Sequence, residues 1–120
     1  MVREIEHEKW IEWPHARLRA ERVIDSGTVV RFVVQLEYDL DDEWQPMVRF
    51  DHDTRSEGGH DVTQEGLHMD VYRAGEKYRV ETGFPSVPLP EAPRYCERYI
   101  NERAEDLLRR FEQWHDIRPK

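Results

Sequence analysis

Cysteine is almost missing from this 120-residue chain, where Cys96 stands alone. One thiol excludes an internal disulfide and a zinc site built from several cysteines of one chain. Cys96 lies inside a helical pattern with no base near it in sequence, so a packed, unreactive thiol is expected. Long apolar runs are missing as well, and none approaches the roughly 20 residues that cross a bilayer. The first ten residues, MVREIEHEKW, are charged and lack the continuous apolar core of a signal peptide. The expectation is therefore no membrane attachment and a cytoplasmic location. GxxxxGK[ST] and GxGxxG do not occur, which excludes nucleotide binding by those loops. A GxSxG elbow is absent too.

Lysine is scarce. Lys9, Lys77 and Lys120 are the lysines among 18 basic residues, against 26 acidic ones and a formal net charge of -8. Many carboxylates with little lysine resemble the composition of proteins from salt-loving archaea. Such a surface stays hydrated in concentrated salt, where the Debye length shrinks to about 3 Å near 1 M. Net acidity also counts against diffuse binding to nucleic acid, while leaving room for a local arginine patch.

Enough apolar residues are present, 38% with four Trp, five Tyr and four Phe, for one domain over residues 1–120 with one core. Leu18, Ala20 and Ile24 share one parity, which reads as a half-buried strand from Ala16. Val30, Phe32, Val34, Leu36, Tyr38 and Leu40 alternate with Arg31, Gln35, Glu37 and Asp39 in the clearest strand. Trp44–Asp53, Leu67–Arg73 and Tyr78–Thr82 supply further strands, the last with Tyr78 and Val80 on one side. Thr54–Gly66 reads as a loop. Residues 2–13 fit neither helical nor alternating spacing. Four prolines between Gly83 and Pro93 make an extended crossing. Tyr95, Tyr99, Ile100, Ala104, Leu107, Leu108, Phe111 and Trp114 then form one stripe of a helix over 91–115. The expected fold is α+β: an antiparallel meander of four to five strands over 16–82, with the helix on one face. Arg31, Gln35, Glu37, Arg49, Asp51, His68 and Asp70 would share the open face.

The chemistry concentrates between Met47 and Arg73. Same-face side chains on adjacent strands stand about 5 Å apart, so Asp51 or Asp53 can approach His68 and Asp70. The loop can fold His60 and Asp61 back over them. Such a set suits general acid–base work, with Arg49 for phosphate charge and Arg49, Asp51, His60, His68 and Asp70 as candidate catalytic residues. His60, His68 and Asp70 are also candidate ligands for a divalent metal, against a bland reading as solvated groups. His52 has core parity and packs beside Phe50. His7, His15 and His115 fall outside the cluster, with no specific role expected.

RFVVQLEY (31–38), VRFDHD (48–53), GGHDVTQEGLHMDVYR (58–73) and RFEQWH (110–115) together resemble a small uncharacterised family of salt-loving archaea. That resemblance implies fold and source rather than activity. Arg49, Asp51, His60, His68 and Asp70 are also similar to a pattern in small toxins of prokaryotic toxin–antitoxin modules, although the loop between the histidines is longer and more acidic here. It implies a toxin-like or RNA-directed protein. The alternative expectation is a non-catalytic interaction module, either a homodimer or the partner of a neighbouring gene product. If the acidic surface is an adaptation to salt, the melting temperature rises between about 0.1 M and about 2 M KCl as self-repulsion is screened. A flat or falling dependence counts against it.

Overall fold

The computed structural model describes residues 1–117 as one layer of sheet under one long helix. Residues 118–120 of the expected domain lie outside the described residues. The strands are β1 (Val2–Glu12), β2 (Ala16–Asp25), β3 (Thr28–Leu40), β4 (Glu43–Asp53), β5 (Met69–Arg73) and β6 (Glu76–Glu81). A short helix α1 (Val62–Glu65) interrupts the connection from β4 to β5. A 3-10 turn (Leu89–Glu91) leads into α2 (Ala92–Trp114), with Pro93 in its first turn, where no helical N–H is needed. The sheet is an antiparallel meander in the order β1-β2-β3-β4-β5-β6.

Three hairpins close through two-residue turns, at Ser26-Gly27, Asp41-Asp42 and Ala74-Gly75. All six residues have positive φ. Such turns carry the twist that antiparallel strands require, and Asp tolerates the left-handed region where glycine is absent.

Register explains where the helix sits. One row across the sheet runs Lys9, Leu18, Leu36, Val48, Val71, Arg79, and the next runs His7, Ala20, Val34, Phe50, Met69, Glu81. The four middle members are apolar and the outer two polar, so α2 covers the middle of the sheet and leaves both edges to water. Cys96, Ile100, Leu107, Leu108 and Phe111 face down into this core. Cys96 is fully buried, and burial pushes its thiol well above the usual range. The proline-rich crossing contributes Phe84, which meets Phe50 and Tyr99 edge-on at 5.2 and 5.0 Å.

Several expectations need correction. The sheet has six strands and begins at Val2; β1 was illegible because an edge strand exposed on both faces shows no alternation. The loop at 54–66 contains α1. Tyr78 and Val80 do not share a side, because a bulge in the β5–β6 register separates them. Tyr78 turns to Trp114 on α2, with ring centroids 5.3 Å apart, while Val80 pairs with Asp70 on the other face. Two outlying histidines are also engaged. His7 Nε2 lies 2.5 Å from Glu97 on α2, and His115 Nε2 accepts the Ala74 N–H at 3.0 Å.

His52 is in the core, as its parity implies, but its neighbour is its cross-strand partner Phe32, with stacked centroids at 5.7 Å. Its Nδ1 accepts the Val62 N–H at 3.1 Å, which places the ring proton on a buried Nε2 without a partner. Burial holds its pKa below the ordinary 6.5. The folded site therefore refuses a proton that the unfolded chain accepts. The stability it supports is complete above about pH 6.5 and is lost as pH falls below it. Thermal melts between about pH 7.5 and about pH 5 should show this loss, and His52→Gln, which keeps an acceptor without titrating, should flatten it. An unchanged slope would rule His52 out as the source. In the core proper, Phe50→Ala should cost about 3–5 kcal/mol in denaturant unfolding.

Candidate functional site

The face away from α2 is also organised in rows. One runs Glu8, Arg19, Gln35, Arg49, Asp70, Val80, and its neighbour runs Glu6, Glu21, Val33, Asp51. Arg31 and Asp53 pair in the row after that. These rows are set by the same alternation that builds the core, so every polar side chain on this face is positioned by an apolar one behind it.

This face is not open along its whole length. Gln35 and Glu37 are only 3% and 5% exposed. Arg17 Nε donates to Glu37 Oε1 at 2.7 Å, and Gln35 Nε2 donates to the other Glu37 oxygen. Arg49 Nε then donates to Gln35 Oε1 at 2.6 Å. The Arg17 guanidinium lies 4.1 Å above the Trp44 ring, and that of Arg49 lies 5.5 Å from the Tyr72 ring. A buried carboxylate needs such partners, since removing one from a buried pair typically costs about 3–5 kcal/mol.

Beyond this network the face opens into a cleft of about 460 Å³. It forms because the β4–β5 ladder ends at Phe50–Met69 while β4 continues to Asp53. The chain leaves through a turn built by Asp53, whose carboxylate accepts from the Ser56 hydroxyl at 2.8 Å and from the backbone N–H groups of Arg55 and Ser56. Those bonds, the Ser56 hydroxyl first, hold Asp53 below its ordinary pKa. Gly59 then presses against β4, where a Cβ would stand 2.2 Å from the Asp53 carbonyl oxygen. Asp61 caps α1 through the Thr63 N–H and hydroxyl, at 2.9 and 2.6 Å.

Arg49, Asp51, His60, His68 and Asp70 all line this cleft, together with Arg31 and Lys77. The paired register stops at Phe50–Met69, one residue short of Asp51 and His68, and both of these line the cleft. The His60 and His68 rings lie 4.6 Å apart. Asp70 is paired with Lys77 Nζ at 3.3 Å. Arg49, Asp51 and His68 have no ion-pair partner among the described residues. Among those residues Arg49 thus stands in the cleft without a carboxylate partner, unlike Arg31 and Lys77, and shares it with Asp51 and His68, a set that can bind an anion and move a proton.

The described residues lend no support to the metal expectation for His60, His68 and Asp70. Among the described residues no three or more His, Cys, Asp or Glu stand where they could hold an ion. The donor atoms are turned elsewhere: His60 Nε2 lies 3.0 Å from the Gly66 carbonyl, its Nδ1 lies 3.2 Å from Glu65, and Asp70 faces Lys77.

Sequence reasoning missed Lys77, because the β6 bulge that turns it to the cleft leaves no trace in the residue pattern. It also missed Gln35 as the support of Arg49. The signal available was a Gln and a Glu at i and i+2 opposite an Arg on the next strand.

Among the described residues no helix is long and apolar enough to cross a membrane. Nothing matches among the curated proteins or among the solved structures. A protein-family model described as Domain of unknown function (DUF7718) matches residues 2–117, a span that takes in all six strands, both helices and the cleft. The chain is thus a member of the DUF7718 family.

Proposed function

We propose that the cleft takes a phosphate group of an RNA chain, and that the protein is a small RNA-directed, toxin-like protein that cleaves the chain by internal phosphoryl transfer. The observation that carries this reading is Arg49. Its guanidinium is held by Gln35 and Tyr72, has no carboxylate partner among the described residues, and shares a cleft with Asp51 and His68. Lining charge supports it as well. Arg31, Arg49 and Lys77 balance Asp51, Asp53 and Asp70 there, in a chain that carries -8 overall.

RNA can be cleaved by proton transfer alone. A base removes the 2′-hydroxyl proton, the 2′-oxygen attacks phosphorus, and an acid protonates the departing 5′-oxygen. The products are a 2′,3′-cyclic phosphate and a 5′-hydroxyl, with no water consumed. Asp51 and His68 are the proton carriers in this reading, His60 packs its ring beside that of His68, and Arg49 meets the charge that develops on the phosphoryl oxygens. Asp70 acts through Lys77, setting the position of that ammonium.

A non-catalytic interaction module, as a homodimer or with a separate partner, is the second reading. It is favoured by Trp10 and Trp13, which are 52% and 72% exposed at one end of the sheet.

Incubation with end-labelled RNA, alongside growth after induced expression, separates the two. The expected result is cleavage leaving cyclic phosphate ends and growth arrest, with both lost in His68→Ala and the cleavage rate cut at least about 100-fold in Arg49→Ala. Far-ultraviolet spectra of the variants check folding. No cleavage and no growth effect from the wild-type chain would remove the catalytic reading.

A further inference from the structure

We propose that the free edge of β1 and the groove beside it take an extended, basic segment of a partner protein as a seventh strand. This surface lies at the far side of the sheet from the cleft and stands independently of the reading above.

β1 is the first strand of the sheet order, and its outer edge meets no further strand among the described residues. It pairs with β2 without interruption from Val2 to Trp10, so its outer N–H and C=O groups form an uninterrupted template. Edges of this kind accept strands, and they are commonly blunted by proline or early bulges. Here the one register shift falls at the very end, between Trp10 and Glu12.

Where this edge ends, a groove of about 580 Å³ lies between Ile11 and Glu12 of β1 and helix α2. Ile11, Ala104 and Leu108 give it apolar surface, and Glu12, Glu105 and Glu112 line it with carboxylates. Arg109 is the basic residue there, and it is already paired with Glu105 at 3.0 Å and Asp106 at 3.9 Å. An incoming strand would alternate, with apolar side chains turned into the groove and the backbone held by β1.

Charge selects the occupant. Glu4, Glu6, Glu8 and Glu12 outnumber Arg3 and Lys9 along β1. A second copy would bring the same acidic strand, on a chain of net charge -8, against this one. A basic strand meets complementary charge along the edge, where Glu4, Glu6 and Glu8 stand on the face away from the groove.

The test uses the full chain and three synthetic ten-residue peptides: alternating Arg and Leu, alternating Glu and Leu, and the Arg–Leu peptide with backbone N-methylation at alternate residues. Binding is read by labelled-peptide anisotropy and by the emission of the tryptophans. The Arg–Leu peptide is expected to bind at least about ten-fold tighter than the Glu–Leu peptide. N-methylation should abolish the binding, because the methylated backbone cannot pair with the edge. The double variant Glu4→Lys, Glu6→Lys, on the face that the arginines would meet, should weaken it by about ten-fold or more, with an unchanged melting temperature as the control for folding. Equal binding of the methylated peptide overturns strand addition. An indifferent double variant overturns the charge argument. A dimer in sedimentation that the Arg–Leu peptide does not dissociate assigns the edge to a second copy and overturns the proposal.

Discussion

A carboxylate buried on the less covered face of the sheet governs much of this structure. Glu37 sits on β3, the strand flanked by β2 and β4 in the middle of the layer, and is almost excluded from water. A charge in that place is tolerated only when hydrogen-bonded. Arg17 from β2 and Gln35 from β3 itself supply the bonds, and Arg19 adds a longer contact at 3.7 Å. Gln35 has one amide oxygen left, and Arg49 of β4 takes it. Three strands are thus tied by one polar chain, and its last member, Arg49, is one of the three cations that line the cleft. The placement of Arg49 is therefore tied to satisfying a buried acid on the neighbouring strand.

The same register that brings these groups together also sets the two faces apart. Side chains alternate with a period of two, so a slip by one residue would exchange Gln35 and Arg49 for Val34 and Phe50. Fully buried apolar residues from β2 through β5 resist any such slip. The core therefore acts on the site indirectly, as the reason the polar rows cannot shift. Where the register does shift, at the β5–β6 bulge, the effect is local: Tyr78 goes to the helix and Lys77 to the cleft.

The β4–β5 connection gives the cleft its wall. Asp53 starts the turn, Gly59 permits the close approach to β4, and Asp61 begins α1. Val62 then closes over His52 and takes its Nδ1 as an acceptor. The segment that carries His60 is consequently anchored in the core through an uncharged histidine. Gly58-Gly59, which resembles a phosphate loop only in composition, supplies a positive φ at Gly58 and the room for close approach at Gly59.

Much of this was legible in the residue order. Alternation in 30–40 and 48–53 identified the central strands and their buried sides, and it separated His52 from Asp51 and Arg49. The stripe from Tyr95 to Trp114 marked the helix within one residue of each end. Each of these is a local period, readable because one face is apolar. What the residue order left open depends on neighbours distant in sequence. β1 has both faces in water and so carries no period. The burial of Glu37 arises from Arg17, Gln35 and Trp44 around it, not from its own parity. The orientation of the His60 ring is set by Glu65 and Gly66 after α1 has formed, contacts that no local period announces. Local pattern determined which residues face which way. Only the assembled sheet decided which of them are free to act.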